Sequence, residues 1–153
     1  MSKNAIKTIE SHAFFGLHKL KELHLHHNNL IKLDDDAAEK FAHLSQLKIL
    51  ILGKNRVREL SSNALVRLEN LEELYLHHNE LSKIRARQFQ NNKRLRKLNL
   101  SMNSIEDIDD QAFVGLENLE ELNLSNNELN NKINSSSFVC LGRLKNLNLK
   151  FNS

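Results

Sequence analysis

The chain has no proline and one cysteine, and aromatic residues make up only 5 % of its 153 residues. A single cysteine, Cys140, excludes an internal disulfide framework. The absence of proline is unusual for a chain that must turn often, so its turns have to be made by other residues. No apolar run approaches the length needed to span a membrane. The opening Met1-Ser2-Lys3-Asn4 carries no apolar leader core. The net charge is only +3, and Lys and Arg alternate with Asp and Glu instead of clustering. That pattern argues against nucleic acid as a partner.

What is present is one pattern, repeated. Leu71-Glu72-Glu73-Leu74-Tyr75-Leu76-His77-His78-Asn79 has the form L-x-x-L-x-L-x-x-N. The same form begins at Leu20, Leu47, Leu95, Leu119 and Leu144, with Leu at positions one, four and six and Asn at position nine in every copy. Side chains alternate along Leu74-Tyr75-Leu76, so both leucines face one side and Tyr75 faces the other. One such strand cannot bury its leucines alone, but stacked copies form a parallel sheet over a continuous apolar core. The ninth-position Asn falls where the chain leaves the strand. Its amide both donates and accepts, which suits a buried ladder linking successive turns.

The residues after each Asn repeat as well. Aliphatic pairs follow at Leu30/Leu33, Val57/Leu60, Leu81/Ile84, Ile105/Ile108 and Leu129/Ile133, and are expected to point inward. A bulky column follows at Phe14, Phe41, Leu65, Phe89, Phe113 and Phe138, expected as an apolar spine behind the sheet. The return limbs are expected to be irregular or short helical turns. A helical turn is expected at 37–44, with Asp34-Asp35-Asp36 as its N-cap. Asn92 replaces the leucine found at Leu17, Leu44, Leu68, Leu116 and Leu141, and predicts a looser rung.

The repeats resemble the typical 24-residue leucine-rich repeats of animal ectodomains, as found in Toll-like receptors, Slit-like guidance proteins and secreted matrix and adhesion proteins. Ala13-Phe14-Phe15-Gly16-Leu17 and Ala112-Phe113-Val114-Gly115-Leu116 carry the resemblance together with the strand motif. It implies an α/β solenoid with a concave parallel β-sheet and an irregular, short-helical convex side. It also implies non-catalytic protein recognition in signalling, innate immunity or adhesion, with no cofactor. The cysteine-rich flanking caps of that family are not matched here. Residues 1–153 form one array with partial repeats at both ends, so the chain is expected to be a piece of a larger extracellular or cell-surface protein. Uncapped ends, with Ile6, Ile9, Leu147 and Leu149, are expected to favour self-association. A structural segment of a longer array and a cytoplasmic adaptor are the alternatives.

Ligand is expected on the outward side of the sheet. The fifth strand position gives His24, Ile51, Tyr75, Asn99, Asn123 and Asn148, and the third includes Ile49, Glu73 and Lys97. Ile49, Ile51 and Tyr75 stand where a bland surface would be polar, so they form the expected hot spot for a protein ligand. His24, His77, His78, Lys97 and Asn99 surround them. Gly53 is expected to leave a gap beside His26 and His77. The histidines, His27 included, do not assemble the four ligands of a structural zinc site, and no metal is expected. They are expected instead to charge near pH 6.5 and make binding pH-dependent. Charges at positions two and three alternate in sign between rungs and are expected to pair. Cys140 lacks a basic partner and is expected to be buried and inert. Glycosylation sequons begin at Asn99, Asn123 and Asn134.

Overall fold

The computed structural model describes residues 2–34, 36–129, 133 and 136–152. One strand per repeat forms at the central three positions of each motif: β1 (Glu22–His24), β3 (Ile49–Ile51), β5 (Glu73–Tyr75), β7 (Lys97–Asn99), β9 (Glu121–Asn123) and β10 (Asn146–Asn148). They pair in chain order as one six-stranded parallel sheet. Register follows the motif, so Leu23, Leu50, Leu74, Leu98, Leu122 and Leu147 align in one row. All but Leu147 are buried, which leaves a row of residues exposed on the concave side to either flank.

The turn after each strand depends on two features. The ninth-position amides make the expected ladder. Asn79 Oδ1 accepts from the Val57 N–H of the preceding rung at 2.9 Å, while Asn79 Nδ2 donates to Leu52 O at 3.1 Å and Leu76 O at 2.9 Å. Leu52 O also accepts from Asn55, and Leu76 O from Asn103, so neighbouring asparagines share each carbonyl. The eighth position is left-handed in every rung: His27, Lys54, His78, Met102, Asn126 and Phe151 have φ between 53° and 57°. No glycine stands there, although a non-glycine residue in this region costs roughly 1–2 kcal/mol. Rung-to-rung hydrogen bonds hold it, such as Lys54 N to His77 O at 2.9 Å and His78 N to Ser101 O at 3.0 Å.

Beyond the turn, the aliphatic pairs point inward as expected, except that Ile133 is exposed. The second member of four pairs lies on a short strand that periodicity did not mark. β2 (Lys32–Leu33) pairs with β4 (Glu59–Leu60), and β6 (Lys83–Ile84) pairs with β8 (Asp107–Ile108). The spine also forms. Phe14 stacks near Phe41, and Phe89, Phe113 and Phe138 follow one another with ring centroids 6.4 Å and 5.7 Å apart. The expected helical turn is α1 (Ala37–Lys40). Its expected cap is different, because Asp36 is the N-cap residue but makes no side-chain cap bond. Asp34 instead binds Lys32 at 2.8 Å and Lys40 at 3.2 Å, which holds its carboxyl below the usual range; Asp35 lies outside the described residues.

The rung at Asn92 is not loose. Asn92 is buried and donates to Leu65 O at 3.1 Å and Leu68 O at 3.0 Å. Gln88, also buried, donates to Leu60 O and accepts from Arg85 N at 2.9 Å. Two amides thus satisfy carbonyls of the preceding rung, where other repeats rely on apolar contact. Gly115, in the A-F-x-G-L segment, has φ +94°, and a Cβ there would overlap the Gln90 backbone. Near the first rung, Ile9 is buried and Ile6 partly so, which corrects the expectation that both are exposed.

Candidate functional site

The sheet's outward face is built by alternation and register. Ile51 lies directly beside Tyr75, and Ile49 beside Glu73, on β3 and β5. Asn99 continues the row from Tyr75, and His24 ends it beside Ile51. Ile49, Ile51, Tyr75, Lys97 and Asn99 are all partly exposed. His24 is more open and lies 3.2 Å from Glu22. Tyr75 donates its hydroxyl to Glu73 at 2.6 Å. Burial, then that carboxylate, pushes the phenol pKa up to about 12, so the donor persists at neutral pH. Lys97 sits between Glu73 and Glu121, at 4.0 Å and 3.7 Å.

The alternating charges pair as expected. Lys48 meets Glu72 at 2.7 Å, and Glu120 takes both Arg96 at 2.7 Å and Lys145 at 2.8 Å. The two cations hold the Glu120 carboxyl below its usual range. These pairs stand in water and contribute little to stability.

The gap expected at Gly53 is already filled. A Cβ at position 53 would overlap the His77 ring, which lies over the glycine of the preceding rung. His77 also stands edge-on to Tyr75, at 6.4 Å, and to His78, at 5.9 Å. Burial is the first cause of a His77 pKa below 6.5, followed by His78 and Lys54. His27 is lowered for the same first reason, then by Lys54. The expected histidine titration therefore lies lower than the unperturbed value for these two.

A folded-state pKa below the unfolded one means the unfolded chain takes up protons first. Stability from His77 is therefore present above pH 6.5 and is lost as pH falls through the folded pKa. We expect the His77 and His27 Hε1 resonances to titrate with midpoints below 6.5, and the melting temperature to fall from pH 7 to pH 5. Gly53→Ala should expel the His77 ring into solvent and bring its midpoint back towards 6.5. An unchanged midpoint in that variant would show that the glycine does not control the ring.

Cys140 is partly buried instead of fully so, and its thiol approaches Phe113 O at 3.0 Å. Burial raises its pKa, consistent with an unreactive thiol. Of the sequon asparagines, Asn99 and Asn123 lie on the sheet, and Asn134 is outside the described residues. No helix among the described residues is long and apolar enough to cross a membrane.

Comparison with known proteins matches the leucine rich repeat family over residues 1–49, 20–81, 45–105, 69–129 and 93–153. Podocan-like protein 1 of Mus musculus is 38 % identical over 84 residues, covering 55 % of this chain and 14 % of its own length. A solved TLR13–ssRNA13 complex contains a chain that superposes with TM-score 0.90 at 33 % identity, covering 97 % of this chain and 21 % of that one. Toll, solved with Spatzle in a structure described as a hub of Drosophila development and innate immunity, gives 0.82 at 30 % identity, covering 92 % and 20 %. The chain thus spans about a seventh of Podocan-like protein 1 and a fifth of these solved chains. The exclusion of nucleic acid, argued above from interleaved charge, finds no support in this fold, since a protein of the same architecture was solved with single-stranded RNA.

Proposed function

This chain belongs to the leucine-rich-repeat family, and from that premise we propose that it is the protein-recognition module of an extracellular receptor or adhesion protein. It takes its ligand on the concave sheet and performs no chemistry of its own. Residues 1–153 act as one array within a longer protein. The observation carrying this reading is the alignment of Ile51 with Tyr75, with Ile49 on the same strand as Ile51. These three partly exposed residues interrupt a face whose other side chains are polar. His24, His77, His78, Lys97 and Asn99 supply a polar rim, the arrangement in which interface energy concentrates. Toll, solved in glycosylated form in complex with Spatzle, supports the setting.

The test is a double substitution, Tyr75→Ala with Ile51→Ser, in the folded chain. A partner selected from a library of displayed secreted proteins should lose more than about 2 kcal/mol of affinity, roughly thirtyfold. The melting temperature should move little, because both side chains lie outside the leucine core. A lowered melting temperature with unchanged affinity would assign the pair to cross-strand packing instead.

A further inference from the structure

The outward row changes character beyond Tyr75. Its next three members, Asn99, Asn123 and Asn148, align on adjacent strands. Each turns its oxygen towards its own strand's end. Asn99 Oδ1 accepts from Ser101 N at 3.0 Å and Ser101 Oγ at 2.7 Å. Asn123 Oδ1 accepts from Ser125 N at 3.0 Å and Ser125 Oγ at 2.8 Å, and Asn148 Oδ1 from Lys150 N at 3.1 Å. A backbone N–H can be accepted only by the oxygen, so these bonds fix which end of each amide points outward. Among the described residues, none of the three Nδ2 groups has a hydrogen-bond partner. The result is a row of free, oriented N–H donors along the solenoid, one per rung.

The row lines a shallow depression of about 330 Å³ bounded by Tyr75, Lys97 and Glu121. Donors, a carboxylate acceptor and an aromatic ring therefore meet in one place, with Lys97 close to Glu73 and Glu121. A ligand suited to it must accept and donate at the same time and carry no net charge. An extended peptide laid along the row offers carbonyls on one side every ~6.7 Å, out of step with rungs ~4.8 Å apart. Hydroxyl groups meet the requirement, because each accepts and donates and a sugar ring presents them on every side. We propose that this depression binds a neutral, hydroxyl-rich carbohydrate chain, with Asn99, Asn123 and Asn148 donating to its oxygens and Tyr75 closing one end.

The experiment is a titration of the isotope-labelled chain with cellotetraose, maltotetraose and chitotetraose, and separately with a neutral Ser-Thr hexapeptide. At least one sugar should shift the side-chain amide resonances of the three asparagines saturably, and the peptide should not. Asn123→Asp keeps an oxygen for Ser125 N but removes the donor, and should weaken sugar binding about tenfold, the scale of one lost hydrogen bond. Asn123→Gln, a second variant, keeps the amide and should weaken it less. Silence from all three sugars, or undiminished binding by Asn123→Asp, overturns the proposal, as does a stronger response to the peptide. Ile51 does not line the depression, so Ile51→Ser should leave sugar binding intact. A failed sugar test therefore leaves the protein-ligand reading standing, and a failed hot-spot test leaves this one.

Discussion

Asn79→Ala is expected to destabilise the chain by about 2–4 kcal/mol, more than most surface substitutions by several-fold. The loss has three parts. The Val57 N–H, which Asn79 Oδ1 accepts at 2.9 Å, is left buried and unpaired. Leu52 O and Leu76 O each lose one of two donors but keep the other, from Asn55 and Asn103. The missing amide also leaves a void where Asn79 was only 8 % exposed. Asn152, at the last rung, is only partly buried, so Asn152→Ala should cost less. Asn79→Asp separates bonding from shape. Its carboxylate can still accept from Val57, but it turns a second oxygen towards two carbonyls in place of a donor. The acid form can donate there, so burial raises the folded-state pKa. Stability of this variant should therefore fall as pH rises through that value and recover towards wild type near pH 4. Chemical denaturation across pH measures both. A pH-independent deficit would mean that the ladder matters only for packing.

The ladder was legible in the sequence because asparagine recurs at a period that can mean little else. The same period placed Ile51 beside Tyr75 and the phenylalanines in one column. Repetition works this way because each rung repeats the backbone, so an identity at one position implies a neighbour at the same position one rung away. What departed from the pattern was less visible. The left-handed eighth position carries Asn126, His27 and His78, which are types enriched there, but also Lys54, Met102 and Phe151, which are not. The mixed residue types do not by themselves announce a conformation that hydrogen bonds between rungs hold. Asn92 looked like a defect because one polar residue replaced leucine. Two carbonyls within reach turned it into a satisfied contact, and that depends on backbone positions that spacing alone does not supply. His77 over Gly53 is the same kind of case. The gap was evident from the missing side chain, but its occupant came from the adjacent rung.

Phe113→Ala should cost about 3–5 kcal/mol, the largest effect of any single spine substitution. Its ring is fully buried and lies between Phe89 at 6.4 Å and Phe138 at 5.7 Å, tilted by 6° and 11°. Phe138→Ala should cost less, because that ring is only partly buried. The column also predicts how these losses combine. Phe89 and Phe113 touch, so their double mutant should show a coupling of about 0.5–1.5 kcal/mol. Phe14 and Phe41 form a separate stack, and Leu65 stands between it and Phe89. Phe14→Ala and Phe113→Ala should therefore add within about 0.5 kcal/mol, since no ring contact connects them. In a solenoid whose rungs touch only their neighbours, the distant rung has no other route by which to respond. Hydrogen exchange gives the spatial readout. Phe113→Ala should speed exchange in β7, β9 and β10 while β1 and β3 stay protected. Uniform acceleration over all six strands would mean that the array unfolds as one cooperative unit and that the spine does not divide it.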